Sequence, residues 1–252
     1  MSIIEKELSQ TQDMEEIEEL RYILSTCYCA MAESYLTDLW CVLLSNFFFE
    51  RLTANSSYDD DAEARCEEFC GLAIRTQPRN PEALQLLSSL RMSQQKPDEA
   101  KEAIMQGLSL WYRPREERII VPADGAKADD DDEWVDEVED DDDPGLTGEL
   151  VPSYEVRIST IRLLLELGLH DIALDIAELL LREDDEVVQV WYLCGWASYL
   201  KGDREEALHY LTHVGELYNQ LGCDDEDLLK HTHELLAELE GAEAAKDDIE
   251  MS

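Results

Sequence analysis

The chain has 252 residues, 60 of them acidic and 20 basic, for a formal net charge of −40. A field of that size repels nucleic acid and anionic membrane and attracts basic proteins. The 44% hydrophobic content can still build a sizeable core, but no apolar run reaches the ~20 residues of a membrane-spanning helix. The N-terminal MSIIEKELSQTQDMEE is acidic and lacks the basic segment and apolar core of a secretory signal. An intracellular setting is therefore expected, with the seven cysteines as reduced thiols.

In chain order, residues 1–18 form an acidic N-terminal arm, and a helical pattern begins at Glu19. It runs into Trp40–Ser57, WCVLLSNFFFERLTANSS, an apolar and nearly uncharged stretch in an acidic chain. Three readings of that insertion stay open. It continues the helix and buries Phe47, Phe48 and Phe49; it is an exposed apolar segment that binds a partner; or it is a translated intron. A second helix follows in AEARCEEFCGLAIRTQP, and Asn80-Pro81 opens a third. The turn Gln94–Asp98 leads to Pro97, a residue suited to the first position of a helix. Residues 115–153 are an insertion. Its opening REERIIVPADG is expected to extend the preceding helix as far as Pro122. Asp129–Asp143 then carries twelve acids in fifteen residues, with no Lys or Arg between Lys127 and Arg157. Like charges at this density predict a solvated segment that is disordered when alone. Residues 154–221 return to strong helical patterning. Leu228, Leu229, Leu235, Leu236 and Leu239 give 222–240 one apolar face, as a solenoid's terminal helix needs, and 241–252 is a tail.

Within 154–221 the spacing Gly168 to Ala173 recurs at Gly202 to Ala207, 34 residues later. A turn glycine and an early small residue at this period resemble the tetratricopeptide (TPR) repeat. Its consensus W-x2-L-G-x2-Y…A-x3-F falls here on Trp191, Cys194, Gly195, Ser198, Ala207 and Leu211. Gly195 and Ala207 are expected where the paired helices approach, Gly202 in the left-handed conformation that ends the first helix, and Asp203 as N-cap ahead of Glu205 and Glu206. The same register places Tyr28, Met31, Ala32 and Tyr35 in the first helix of repeat one, and Cys66, Cys70, Ala73 and Pro78 in its second. About 22 surplus residues separate those halves. Repeat two uses Leu84, Leu87, Ser88, Ala100, Ile104 and Gly107. The expected fold is an all-α TPR solenoid of about four repeats plus a C-terminal cap helix, repeats one and two spanning 19–114 and repeats three and four 154–221, with a long acidic insertion between them.

Catalytic and metal constellations are weak. Cys27 and Cys29 point apart on a helix. Cys66 and Cys70 are spaced to share a metal but lack a second ligand pair, so buried structural thiols are expected. His209 with His213, and His231 with His233, read as surface histidines without the H-E-x-x-H pattern. The Asp run has no glycine where a calcium loop requires one. No phosphate loop, nucleophile elbow or Rossmann turn occurs. No catalytic residue, metal or cofactor is expected.

A TPR solenoid binds through first-helix residues at the second, fifth, ninth and twelfth positions of each repeat. These are Glu82, Gln85, Ser89 and Met92 in repeat two, Glu155, Ile158, Arg162 and Leu165 in repeat three, and Gln189, Tyr192, Trp196 and Tyr199 in repeat four. Tyr192, Trp196 and Tyr199 would make an aromatic strip able to stack on Arg or Lys of a ligand, or would pack on the cap helix instead. None of these positions is Lys or Asn, which argues against clasping the acidic tails of heat-shock chaperones. Glu82, Gln85, Glu155, Ile158, Arg162, Gln189, the aromatic strip and the Asp runs Asp129, Asp130, Asp131, Asp132 and Asp140, Asp141, Asp142, Asp143 are the candidate partner-binding residues.

Three phrases go further: NPEALQLLSSLRMSQQKPDEAKEAI (80–104), LVPSYEVRISTIRLLLELG (150–168) and DDEVVQVWYLCGWASYLKGDREEAL (184–208). Together they resemble fungal and plant TPR proteins that are dedicated assembly chaperones of a large-subunit ribosomal protein, the fourth in conventional numbering (uL4). The resemblance implies a monomer that binds the client's basic loop or extension, shields it, accompanies it from cytoplasm to nucleus, and releases it on pre-ribosomes as RNA phosphates compete. It implies no nucleotide, direct nucleic-acid or membrane partner. An acidic TPR histone chaperone shares the charge logic with another client, and a TPR scaffold would bind without needing Asp129–Asp143.

Overall fold

The computed structural model describes residues 4, 14–48, 61–115, 145–146 and 150–250; the side chains of 38–48 and 242–250 lie outside that description. The helices are α1 (Met14–Phe48), α2 (Ala62–Thr76), α3 (Pro81–Ser93), α4 (Pro97–Leu108), α5 (Tyr154–Glu166), α6 (His170–Glu183), α7 (Val188–Lys201), α8 (Arg204–Leu221) and α9 (Glu226–Glu250). They pair as α1/α2, α3/α4, α5/α6 and α7/α8, with α9 against α8 and α7. The first helices also touch in succession, α1 on α3, α3 on α5, α5 on α7 and α7 on α9. That makes the all-α solenoid of four hairpins and a terminal helix expected from the 34-residue period.

The hairpins close where the sequence supplies small residues. Ala207 is fully buried, and a Cβ at Gly195 would lie 2.7 Å from Cγ and Cδ2 of Leu211. In repeat one, Ala32, Cys66, Cys70 and Ala73 are buried, and Phe69 stacks between Tyr28 (6.4 Å) and Tyr35 (5.9 Å). The surplus residues therefore leave the α1/α2 pairing intact. Helix α1 reaches Phe48, so the first part of Trp40–Ser57 is helical. The burial expected for Phe47, Phe48 and Phe49, and residues 49–57, lie outside the described residues.

Turn chemistry follows the sequence in part. Gly202 adopts φ 84° and ends α7, and Gly168 adopts φ 73° between α5 and α6. Pro97 occupies the first turn of α4, and Asn80 accepts a hydrogen bond from the Glu82 amide. The fully buried Asn80 also donates to Ser25 Oγ (2.9 Å), which donates to the Ala73 carbonyl (2.9 Å), tying α1, α2 and α3 together. Asp203 departs from expectation: it precedes α8, but its side chain makes no capping hydrogen bond. The α8 terminus is left with the charges of Glu205 and Glu206.

The insertion begins differently from the reading of its opening as a helix extension. Helix α4 stops at Leu108, six residues before Pro114. Trp111 is then buried, Tyr112 forms an isolated antiparallel bridge with Leu146, and the Arg113 amide donates to the Gly145 carbonyl (3.0 Å). Turning there lets Trp111 and Tyr112 join α5, α6 and α7 in the largest apolar cluster, which also holds Ala100, Ile104 and Leu108 of α4. The core thus runs from repeat two into repeat three. Tyr112 donates to Asp175 (2.5 Å) and Arg115 pairs with Glu178 (3.4 Å), so the insertion leaves beside α6, a second helix of its repeat.

Candidate partner-binding groove

The first helices α1, α3 and α5 enclose a cleft of about 280 Å³, lined by Thr26, Cys29, Ala30 and Glu33, by Glu82, Gln85 and Leu86, and by Glu155, Val156 and Ser159. Three of the expected binding residues, Glu82, Gln85 and Glu155, meet here. Gln85 is held in place: its Oε1 accepts from the Thr160 hydroxyl (2.7 Å) and its Nε2 donates to the Val156 carbonyl (3.4 Å). Thr26, Cys29 and Glu33 were missed, although they occupy the second, fifth and ninth positions of repeat one once its register is fixed by Tyr28 and Ala32. The signal was available and needed only to be carried one repeat further towards the N-terminus.

A few acids outside the cleft find cations: Arg91 reaches Glu67 (2.8 Å) and Glu99 (3.0 Å), buried Arg157 clamps Glu183 through two hydrogen bonds (2.5 and 2.7 Å), and Lys201 pairs with Asp171 (3.2 Å). Among the described residues, the side chains of Glu33, Glu82 and Glu155 have no ion pair or hydrogen bond. Burial, and then the Glu33 charge, raise the Glu82 carboxyl above its ordinary range. Burial, then Glu82 and Glu33, push the Cys29 thiol up to about 12, so this cysteine is a neutral wall rather than a nucleophile or thiolate ligand. Cys66 and Cys70 are likewise buried in the α1/α2 core, and the hydrogen bond that Cys70 donates to Cys66, and then burial, raise the Cys70 thiol.

At the other end, Tyr192, Trp196 and Tyr199 line up on α7 as the register requires, but α9 lies against them. The Tyr192 hydroxyl and His231 Nδ1 are 2.6 Å apart, Trp196 meets the His231 ring edge-on at 5.8 Å, and Tyr199 donates to Glu238 (2.5 Å). The three aromatics are half-buried, packed with Leu208, Leu211, Leu235 and Leu239. Burial raises the Tyr192 hydroxyl pKa despite the nearby Arg162 guanidinium. His231, expected on the surface, is half-buried in this cluster instead, and the sequence held no sign of it beyond its place on the cap helix's inner side. His213 departs too: its ring packs on Trp191, 4.0 Å between centroids.

The remaining residues scatter. Ile158, expected on the groove surface, is 4% exposed and belongs to the core, because neighbouring helices close over its position. Leu165 is buried in the same way. Arg162 is exposed and Gln189 half-buried, neither facing the α1/α3/α5 cleft. Asp129–Asp132 and Asp140–Asp143 lie outside the described residues.

No family profile matches the chain. Individual relatives do. The "Probable assembly chaperone of rpl4" of Schizosaccharomyces pombe is 31% identical over 245 residues, 91% of this chain and 59% of that protein. The protein of the same name from Emericella nidulans is 34% identical over 150 residues, 60% of this chain and 31% of its own length. The chain is similar to the rpl4 assembly chaperones. A solved structure, "Assembly Chaperone of RpL4 (Acl4) (Residues 1-338)", superposes with a TM-score of 0.53 at 31% identity, over 80% of this chain and 56% of that one. The chain spans less than two thirds of the length of each of these relatives. The resemblance carried by residues 80–104, 150–168 and 184–208 thus extends through most of the chain and to its fold.

Proposed function

We propose that this chain is a dedicated, non-catalytic chaperone that binds and shields the basic loop or extension of the large-subunit ribosomal protein L4, and accompanies it from cytoplasm to nuclear pre-ribosomes. The observation that carries the reading is an acidic first-helix groove on a fold shared with proteins named for this task. A −40 chain repels RNA and concentrates a basic client. Ion pairs across an exposed groove are each worth only ~0–1 kcal/mol, so the client stays exchangeable, and the dense phosphates of pre-ribosomal RNA compete for its cations without nucleotide hydrolysis. In repeat four the aromatic strip contributes through whatever edges α9 leaves open. The relatives' names favour a ribosomal client over histones.

The test is co-purification. The tagged chain is co-expressed with fission-yeast L4, treated with RNase, and washed at low and high salt, with core histones offered in parallel. The expected result is retention of L4 at low salt, loss at high salt and no comparable retention of histones. Retention of histones in preference to L4, or of neither, overturns the reading.

A further inference from the structure

We infer that α8 carries an exchangeable site for a borderline divalent metal ion (nickel, zinc or copper), with the imidazoles of His209 and His213 as its two protein ligands. The site is separate from the first-helix cleft and does not depend on the proposed client.

The spacing sets the pair up. His209 and His213 stand four residues apart in α8 (Arg204–Leu221), so they share one face of the helix on consecutive turns. Two histidines at that spacing are the chelating half of the zinc-binding H-E-x-x-H helix. The glutamate of that pattern is a general base and not a ligand, so its absence removes catalysis and leaves chelation. The pair lines a shallow depression, with Glu205 one turn before His209 and Glu216 just beyond His213.

His213 is already held for the purpose. Its half-buried ring packs on Trp191 of α7, 4.0 Å between centroids, so much of the rotamer freedom that chelation must freeze is lost in advance. Glu216 Oε2 lies 3.8 Å from His213 Nδ1. That favours the tautomer with its proton on Nδ1 and leaves the Nε2 lone pair to a metal, as carboxylates behind metal-bound histidines do. His209 is exposed, its ring 5.6 Å from that of Tyr210. Among the described residues neither imidazole makes a hydrogen bond, whereas Nδ1 of His231 is committed to Tyr192. His231 and His233 make no rival pair, since two residues apart on a helix they face different ways.

Among the described residues no three His, Cys, Asp or Glu converge to hold an ion. The chain therefore supplies two nitrogens and water fills the other positions, which makes the ion exchangeable rather than structural. Imidazole suits nickel, zinc and copper, while magnesium and calcium take oxygen ligands. A −40 chain gathers any divalent cation at its surface, so the mark of the site is selectivity.

The test titrates the full chain with Ni²⁺ in excess Mg²⁺, which occupies the carboxylates. Calorimetry reads the affinity. Tryptophan emission locates the ion, because a paramagnetic ion on His213 quenches Trp191. The background is Trp134→Phe, since Trp134 lies inside the Asp129–Asp143 run. The expected results are a saturable Ni²⁺ site that survives Mg²⁺, a quench that follows its occupancy, and a loss of affinity of about tenfold or more in His209→Ala and in His213→Ala. His233→Ala should bind as the parent does, and Trp191→Phe should bind Ni²⁺ but lose the quench. His209 is exposed, so its replacement leaves the fold intact and decides the matter even if His213→Ala unfolds. Affinity unchanged in His209→Ala, or binding abolished by Mg²⁺, means diffuse carboxylate binding and overturns the site. A quench that persists in Trp191→Phe places the ion elsewhere and overturns it as well.

Discussion

Gly195 and Gly215 lie in successive helices of one hairpin and answer the same substitution in opposite ways. A Cβ at Gly195 meets Leu211 at 2.7 Å and the Leu211 amide nitrogen at 3.3 Å, whereas a Cβ at Gly215 meets nothing within 4 Å. Alanine improves a helix interior over glycine by ~0.5–1 kcal/mol, and overpacking a core costs about 1–3 kcal/mol. Gly215→Ala should therefore raise stability by several tenths of a kcal/mol, while Gly195→Ala lowers it by about 1 kcal/mol on balance. Urea unfolding of the two variants checks this, and a stabilised Gly195→Ala would mean the hairpin is looser than it looks. The TPR consensus already marked Gly195 as a close approach; it had nothing to say about Gly215, whose freedom depends on which face of α8 is left open.

At the scale of elements, α9 is part of the fold rather than an appendage. Leu211 of α8 is fully buried and Leu235 of α9 is 5% exposed, both in one apolar cluster with Ala207 and Leu239. Leu211→Ala and Leu235→Ala should each cost about 3 kcal/mol, and the double variant should fall short of their sum by about 1 kcal/mol, because the two cavities share walls. Additive losses in urea titrations would show that α9 packs independently. This contact also marks where the sequence became hard to read. The period of 34 set the hairpins, their register and the turn glycines, and the leucine spacing of 222–240 set the cap's apolar face. Neither could say which groove residues the cap would cover, since α9 has no repeat of its own to register against. Tyr192, Trp196 and Tyr199 could for that reason be read either as a ligand-stacking strip or as packing for the cap helix, and His231 as a surface group; α9 lies against the strip. Ile158 shows the converse limit: a position on the binding face by count is part of the apolar core. The α1/α3/α5 cleft was half legible, through Glu82, Gln85 and Glu155, and its α1 wall follows from the register of Tyr28 and Ala32 once that register is carried into repeat one.

At the scale of the molecule, the excess of acid weighs on folding, and the sign of the effect follows from where the acids sit. Glu82 is raised by burial and Glu33, and Glu178 by burial, with Arg115 and the Tyr210 hydroxyl only partly opposing it. A carboxyl whose pKa is higher in the folded state holds its proton there at a pH where the unfolded chain has already released it. Between the two values the folded state binds more protons, so stability falls as pH rises through the folded pKa and is regained on acidification. Repulsion among the other acids of a −40 chain acts in the same direction. The melting temperature should therefore rise as pH is lowered from neutrality towards, but not into, the ordinary carboxylate range, on a scale of ~2–4 °C per kcal/mol for a chain of this size. Glu82→Gln should flatten part of that slope, because the amide neither titrates nor repels Glu33. Added salt should raise the neutral-pH value by screening the same repulsion over a Debye length of ~8 Å. Differential scanning fluorimetry across pH, at low and moderate salt, reads all three effects. A melting temperature that drops steadily on mild acidification would mean that the raised carboxyls of Glu82 and Glu178 do not set the slope.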